Sequence, residues 1–225
     1  MEVRILGPLE VEDETGRLVP LGSLKQRALL ALFAVHPNTV LSTDRIVDAL
    51  WGEQPPSDGP RNVRVYVSRL REVLEPDRTK RAPGRLIVTE PSGYAFRIDP
   101  ECIDAGVFER LALVARQELV DDPEASRTTI DRALHLWRDR PLANLGFEEF
   151  AQSEIRRLEE LHLSALELRH EASVRLGDCR AAIPELEKLV TEYPLRERFV
   201  ELLMEALAAA GRRTEALRAY RSFEL

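Results

Sequence analysis

The chain has 225 residues, of which 44% are hydrophobic and 32% are charged, and its net charge is −7. This length accommodates one or two domains, and the apolar content is enough for each to have its own core. The sequence has no apolar run of about 18 residues, so no membrane span is expected, and the N-terminus lacks the basic start and apolar segment of a signal peptide. Cys102 and Cys179 lie far apart, which argues against a disulfide framework and favours a reducing cytoplasm.

The charge is unevenly distributed along the chain. Residues 1–98 carry 14 basic and 13 acidic side chains, whereas residues 99–225 carry 18 and 26. Within residues 61–97 there are nine basic and four acidic side chains, so contacts with phosphates would have to lie in this stretch. The acidic remainder suggests a second domain with a protein partner, and an acidic surface that only confers solubility explains it equally well.

In chain order, the first 22 residues predict a small antiparallel sheet. Apolar residues alternate in short stretches that are interrupted by turn residues at Gly7-Pro8, at 13–16 and at Gly22, so two or three short strands are expected. The apolar residues then change to helical spacing and predict a first helix over residues 23–35, which ends before Pro37.

A second helix begins at Ser42, because its hydroxyl can accept a free backbone N–H of the first turn. Leu41 and Ile46 occupy the two positions of a hydrophobic staple around this start. The helix is expected to end near residues 51–52, where a tryptophan is followed by glycine.

A turn-rich loop over residues 52–59 separates this helix from a third one over residues 60–74. The third helix starts with a proline, a residue that suits the first helical turn. Residues 76–84 are polar, and residues 86–98 alternate apolar and polar side chains on both sides of a Pro-Ser-Gly turn. The last segment is therefore predicted to be a β-hairpin.

The remainder of the chain is predicted to be entirely helical. Helices are expected over 104–120, 123–137, 147–176, 178–192, 195–210 and 212–225. Four pairs of residues are 34 positions apart: Gly177 and Gly211, Ala182 and Ala216, Leu186 and Tyr220, and Leu189 and Phe223. This spacing is typical of tetratricopeptide-type helix pairs, with chance helical periodicity as the rival explanation. Pro184 departs from the pattern, because it removes a backbone donor near the start of one helix.

The third helix carries most of the functional argument. Its apolar stripe, predicted to pack on the first two helices, consists of Val63, Val67, Leu70 and Leu74. The opposite face carries Arg61, Arg64, Val65, Ser68 and Arg71, with Arg69 at its edge and with Glu72 and Glu75 toward the C-terminal end. The N-terminal half is therefore strongly basic, as in a helix that enters the major groove of DNA.

The residue types on this face match the chemistry of base recognition. Arginine donates two parallel hydrogen bonds to guanine, a valine contacts the thymine methyl group, and Ser68 suits a base or a phosphate. The hairpin would lie against the adjacent groove or backbone, with Arg85, Thr89 and Ser92 as candidate contacts. Lys25 and Thr43 lie near helix N-termini and are candidate phosphate contacts.

No catalytic, metal or cofactor site is expected. The sequence contains no GxxxxGK(S/T), HExxH, CxxC or GxSxG motif, and none of its four histidines lies four residues from another histidine or from a cysteine. An enzyme is therefore not expected.

Several segments together resemble a known family. These are RNVRVYVSRLREVL and IVTEPSGYAFRI in the N-terminal part, and IDAGVFERLALVARQEL, LHLWRDRPLANL and the segment from LGDCRAAIPELEKL to the end in the C-terminal part. The first two resemble the OmpR-type winged helix, and the others resemble the bacterial transcriptional activation domain. This pairing and order resemble the Streptomyces antibiotic regulatory protein (SARP) family.

The resemblance implies an α+β winged helix-turn-helix over residues 1–99, followed by an all-α, tetratricopeptide-like activation domain over residues 100–225. It implies a sequence-specific activator that binds direct repeats upstream of secondary-metabolism promoters, as two protomers on the DNA, and that recruits RNA polymerase with its sigma factor. By position, the loop that would face the polymerase contains Glu53, Gln54, Ser57 and Asp58. The chain stops inside a predicted helix, so a longer protein is expected.

Two alternatives remain open at this point. In the first, the chain is a protein-interaction scaffold whose winged domain does not bind DNA, although a scaffold has no reason to align Arg61, Arg64, Ser68 and Arg71 on one face. In the second, the chain is a repressor with the same DNA chemistry, because activation and repression differ in where the site lies relative to a promoter.

Overall fold

A computed structural model describes residues 1–79 and 82–223. The chain begins with strands β1 (Glu2–Arg4) and β2 (Glu10–Glu12), which pair in antiparallel register with Val3 opposite Val11. Both valines are fully buried, as their alternation with charged residues predicts. The third predicted strand is reduced to a single bridge between Glu12 and Leu18.

Helices α1 (Leu24–Ala34) and α2 (Thr43–Trp51) lie where the sequence predicts them. Ser23 and Gln26 form a capping box at the start of α1, which satisfies two backbone groups at once. Ser42 caps α2 as expected, with its hydroxyl 3.1 Å from the backbone nitrogen of Arg45. Gly52 ends α2 with a positive φ of 56°.

Helix α3 (Gly59–Leu74) is followed by strands β4 (Ile87–Glu90) and β5 (Gly93–Phe96), which form the predicted hairpin. A further strand, β3 (Val40–Ser42), precedes α2 and pairs with β5, so that the sheet order is β3-β5-β4. We did not predict β3. A Cβ atom at Gly93 would lie 1.9 Å from the Leu41 carbonyl oxygen, so this pairing requires glycine at that position.

The chain divides into two compact units. The first contains Met1–Phe108 and Leu136–Glu160, and the second contains Glu109–His135 and Leu161–Leu225. This division differs from the predicted boundary at residue 99, because a segment from the C-terminal part packs on the first strands. In this segment the backbone nitrogens of Arg138 and Leu142 donate to the carbonyls of Leu6 and Ile5 at 2.9 and 3.0 Å.

The remaining helices follow the predicted order. They are α4 (Asp104–Asp121), α5 (Pro123–Leu134), α6 (Glu149–Arg175), α7 (Cys179–Glu192), α8 (Glu197–Ala209) and α9 (Arg213–Phe223), and short 3-10 turns occupy Pro100–Cys102 and Ala143–Leu145. The last two residues of the final predicted helix lie outside the described residues. No helix in the described part is long and apolar enough to cross a membrane.

The second unit has its core between α7, α8 and α9. The 34-residue pattern has a structural counterpart, since Gly177 and Gly211 both adopt φ of +80° after a helix and Ala182 and Ala216 are both buried. Pro184 lies on the exposed face of α7, which continues through it. The backbone carbonyl that loses its helical partner is therefore on the solvent side of the helix.

Candidate nucleic-acid interface

Helix α3 separates its apolar and basic residues onto opposite faces. Val63, Val67 and Leu70 are essentially inaccessible to solvent, and their burial fixes the orientation of the helix. The opposite face is exposed, and its members are Arg61, Arg64, Val65, Ser68 and Arg69. Val65 is 39% exposed, which leaves its methyl groups available for contact.

The arginines of this face have no acidic partner in the part of the chain that the structure describes. Within residues 1–79 and 82–223, Arg61, Arg64 and Arg69 form no ion pair. Other exposed or half-buried arginines do form ion pairs. Arg169 lies 2.8 Å from an oxygen of Asp131, and Arg198 lies 2.9 Å from an oxygen of Glu171. The uncompensated charge on α3 therefore gives this surface a local positive field, which attracts phosphates.

Arg71 behaves differently from the other arginines of α3. Its Nε donates to the carbonyl oxygen of Ile87 at 2.8 Å, and its Nη2 donates to the hydroxyl of Thr89 at 2.9 Å. Partial burial lowers the pKa of Arg71, and the nearby charge of Arg78 acts in the same direction. Two residues predicted as separate DNA contacts, Arg71 and Thr89, are thus bonded to each other.

Glu75 corrects a prediction. We expected this residue on the exposed face of the helix, but it is only 4% exposed. Helix α3 ends at Leu74, and the non-helical backbone of Glu75 (φ −131°, ψ 63°) turns its side chain away from the helical spacing. Its Oε1 accepts hydrogen bonds from the backbone nitrogens of Arg85 and Leu86, at 3.0 and 2.7 Å.

The tip of the hairpin approaches the start of α2. Ser92 is exposed in the two-residue turn between β4 and β5, and its carbonyl oxygen accepts a 3.4 Å hydrogen bond from the backbone nitrogen of Thr43. The backbone N–H of Thr43 is therefore already engaged. The side chains of Ser92 and Arg85 are exposed.

Lys25, predicted as a phosphate contact, uses its ammonium group within the protein. Its Nζ lies 2.5 Å from the carbonyl oxygen of Leu50 and 2.9 Å from a carboxylate oxygen of Glu148. An ammonium group with these two acceptors completes the C-terminal end of α2. Because both acceptors would have to be released before a phosphate was bound, we exclude Lys25 from the interface proposed below.

The loop between α2 and α3 is exposed and acidic. Its candidate residues are Glu53, Gln54, Ser57 and Asp58, all of which are accessible. The loop ends are fixed, because Trp51 stacks on Tyr66 with ring centroids 6.2 Å apart and because a Cβ atom at Gly59 would lie 3.1 Å from a methyl group of Val47. The loop therefore projects from a rigid base.

Three helices followed by a hairpin beside the third helix define a winged helix-turn-helix, a class of fold found in DNA-binding regulators. Comparison with known families agrees with this class. Residues 18–96 match the family "Transcriptional regulatory protein, C terminal", and residues 103–224 match the "Bacterial transcriptional activator domain". The chain belongs to the Streptomyces antibiotic regulatory protein family of transcriptional regulators.

Individual relatives support the same assignment. The chain is 34% identical to the transcriptional regulator RedD of Streptomyces coelicolor over 98% of its own length, and 30% identical to the regulatory protein DnrI of Streptomyces peucetius over 98%. The solved structure of Mycobacterium tuberculosis EmbR in complex with low affinity phosphopeptide superposes with a TM-score of 0.93 and 31% identity over 99% of this chain. The chain spans 63% of RedD, 82% of DnrI and 58% of the EmbR chain.

Proposed function

We propose that this chain is a sequence-specific transcriptional activator that binds double-stranded DNA with α3 in the major groove. The observation that carries the proposal is an exposed row of arginines on a helix whose other face is buried. These are Arg61, Arg64 and Arg69, which form no ion pair with any residue in 1–79 or 82–223. With Val65 and Ser68 between them, this face offers bidentate donors, a methyl contact and a hydroxyl within one helical surface. A surface that only solvates the protein has no need of this combination.

The wider proposal follows the family and the relatives. Residues 1–99 would act as the DNA-binding domain and residues 100–225 as the activation domain. Two protomers would bind direct repeats upstream of promoters for secondary-metabolite or antibiotic genes in the cytoplasm, with Arg85 and Ser92 toward the neighbouring groove. The loop of Glu53, Gln54, Ser57 and Asp58 would contact RNA polymerase and its sigma factor.

The experiment begins with a random duplex library, from which the wild-type chain selects its own binding sequences. Arg64→Ala is then compared with Arg116→Ala, a matched control, because Arg116 is an exposed helical arginine without an ion pair in the described part of the chain. Loss of a base contact by Arg64→Ala should weaken binding by about 1–3 kcal/mol. The control variant should bind as the wild type does.

The outcomes separate the alternatives. A scaffold that does not bind DNA would enrich no duplex, and a site elsewhere on the chain would make Arg64→Ala and Arg116→Ala equally harmless. A repressor would enrich the same sequences but would lower transcription from a promoter that carries them. Activation in a purified transcription reaction is therefore the second measurement.

A further inference from the structure

The hairpin is joined to α3 by a segment of twelve residues, 75–86, which is too long to determine the position of β4 by itself. Strand β4 pairs with the central strand β5 and is an edge strand of the three-stranded sheet, so its outer side is available for contacts with α3. Pairing with β5 places β4 within the sheet, and contacts that come directly from α3 and from the residues after it fix the outer side of β4 against the helix. Arg71 and Glu75 make these contacts and Gly84 leaves the space for them, and we call these three residues the helix–wing clasp.

Arg71 and Glu75 hold the two ends of the same segment. Arg71 donates to the exposed edge of β4 at Ile87 and Thr89, and Glu75 accepts from the backbone nitrogens of Arg85 and Leu86 just before that strand. Glu75 is in turn supported by Arg78, whose Nε lies 3.5 Å from the second carboxylate oxygen. Glu75 thus accepts hydrogen bonds just before β4, and Arg71 donates hydrogen bonds to β4 itself. Only one placement of β4 against the helix satisfies both sets of bonds.

Gly84 is what allows Arg71 to reach β4. A Cβ atom at position 84 would lie 2.2 Å from the Ile87 carbonyl oxygen and 2.5 Å from Arg71 Nε. Both distances are far shorter than van der Waals contact. A side chain at this position would force the backbone or the Arg71 guanidinium group to shift, and either shift disturbs the hydrogen bond between Arg71 and Ile87.

We propose that the clasp positions the wing relative to α3, so that both elements reach adjacent grooves of the same duplex, and that Arg71 acts as a positioning residue. This inference rests on the proposed function. A wing already held in its bound position loses less conformational freedom on binding, which raises affinity. In this proposal the hydroxyl of Thr89 accepts a hydrogen bond from Arg71 and does not contact the DNA.

The test uses variants that keep the charge of the site. Arg71→Lys retains the cation but loses the fork that donates to two acceptors at once, and Gly84→Ala retains Arg71 itself. Each should weaken binding to a duplex selected by the wild-type chain about tenfold, as Arg71→Ala should. In the double variant Arg71→Ala with Gly84→Ala, the losses should not add.

Chemical footprinting of the DNA reports the contacts of α3 and those of the wing separately. Protection of guanine N7 in the major groove should persist in Gly84→Ala, whereas protection of the sugars beside the wing from hydroxyl radicals should be lost. Two outcomes would identify Arg71 as a phosphate contact and overturn the proposal. In the first, Arg71→Lys binds within about twofold of the wild type. In the second, the double variant loses affinity by the full sum of the two single losses, about a hundredfold.

A measurement without DNA keeps the two proposals distinguishable. The Arg71 Nε–H should give a slowly exchanging nitrogen-15 resonance in the wild-type chain, and Gly84→Ala should abolish it. Thr89→Val, which removes one acceptor on an exposed strand, should accelerate its exchange without unfolding the chain. If the wild type enriches no duplex, the proposed function is wrong, but the Arg71 resonance still decides whether the clasp exists. Absence of that resonance from the folded wild-type chain would refute the clasp.

Discussion

His170 should make the second compact unit sensitive to acid. The side chain is 2% exposed, and neither ring nitrogen has a hydrogen-bond partner in the described part of the chain. It borders a cavity of about 150 Å³ lined by residues of α5, α6 and α7, including Arg127, Asp131, Arg169 and Glu185. Burial lowers the pKa of His170 to about 4, Arg169 adds to the effect, and Glu185 and Asp131 oppose it.

The sign and size of the effect follow from proton linkage. In the unfolded chain His170 has its ordinary pKa of 6.5, so between pH 6.5 and about 4 the unfolded state binds more protons. Stability is therefore present above pH 6.5 and is lost as the pH falls through this window. At pH 5 the loss relative to pH 8 corresponds to about 2 kcal/mol.

The assay compares the wild type with His170→Leu, which cannot titrate and which removes two unsatisfied buried nitrogens. Hydrogen exchange of the α6 and α7 amides is followed by mass spectrometry at matched pH values, so that intrinsic exchange rates cancel. The variant should be at least as stable as the wild type at pH 8, and its advantage should grow by about 2 kcal/mol at pH 5. A difference that stays constant between pH 8 and pH 5 would refute the argument.

Two further predictions concern the first unit. Asp104 is buried and accepts the backbone N–H groups of Ile5 and Leu6 at 2.7 and 3.0 Å, so Asp104→Ala should lower the free energy of unfolding by about 2–4 kcal/mol. Tryptophan fluorescence during urea unfolding measures this, and a loss under about 1 kcal/mol would contradict it. Replacing both Glu53 and Asp58 by lysine should leave affinity for the selected duplex at or slightly above that of the wild type while abolishing activation in a purified transcription reaction. Activation that survives the double replacement would exclude this loop as the polymerase contact.

The helices were predictable because their signals are local. Apolar residues at helical spacing and good N-cap residues lie within a few positions of one another, so α1, α2 and α3 begin and end within one or two residues of their predicted limits. The hairpin was predictable for the same reason, since alternation and turn residues occur within a single short segment. Strand β3 was missed because three residues show no period, and its partner β5 lies about fifty residues away along the chain.

The candidate interface was predictable only in part. The exposure of Arg61, Arg64 and Arg69 follows from the apolar stripe on the opposite side of α3, which a helical projection shows. The partners of Arg71 and Glu75 do not follow from it, because they belong to β4 and to the two residues just before that strand. Lys25 lies 123 positions from Glu148 along the chain, and no local pattern indicates that contact.

The amino-acid sequence by itself therefore determined the helices and the hairpin, the face of α3 that is buried, and where the positive charge lies. These properties depend on backbone preference and on the partition of side chains between water and a core, and neighbouring residues are enough to specify them. Only the tertiary structure decided which charged groups remain free and which are bonded to the protein. An ion pair or hydrogen bond forms only when two groups come within about 3 Å, and for Arg71, Glu75 and Lys25 the folded chain supplies that proximity from segments that the sequence keeps apart.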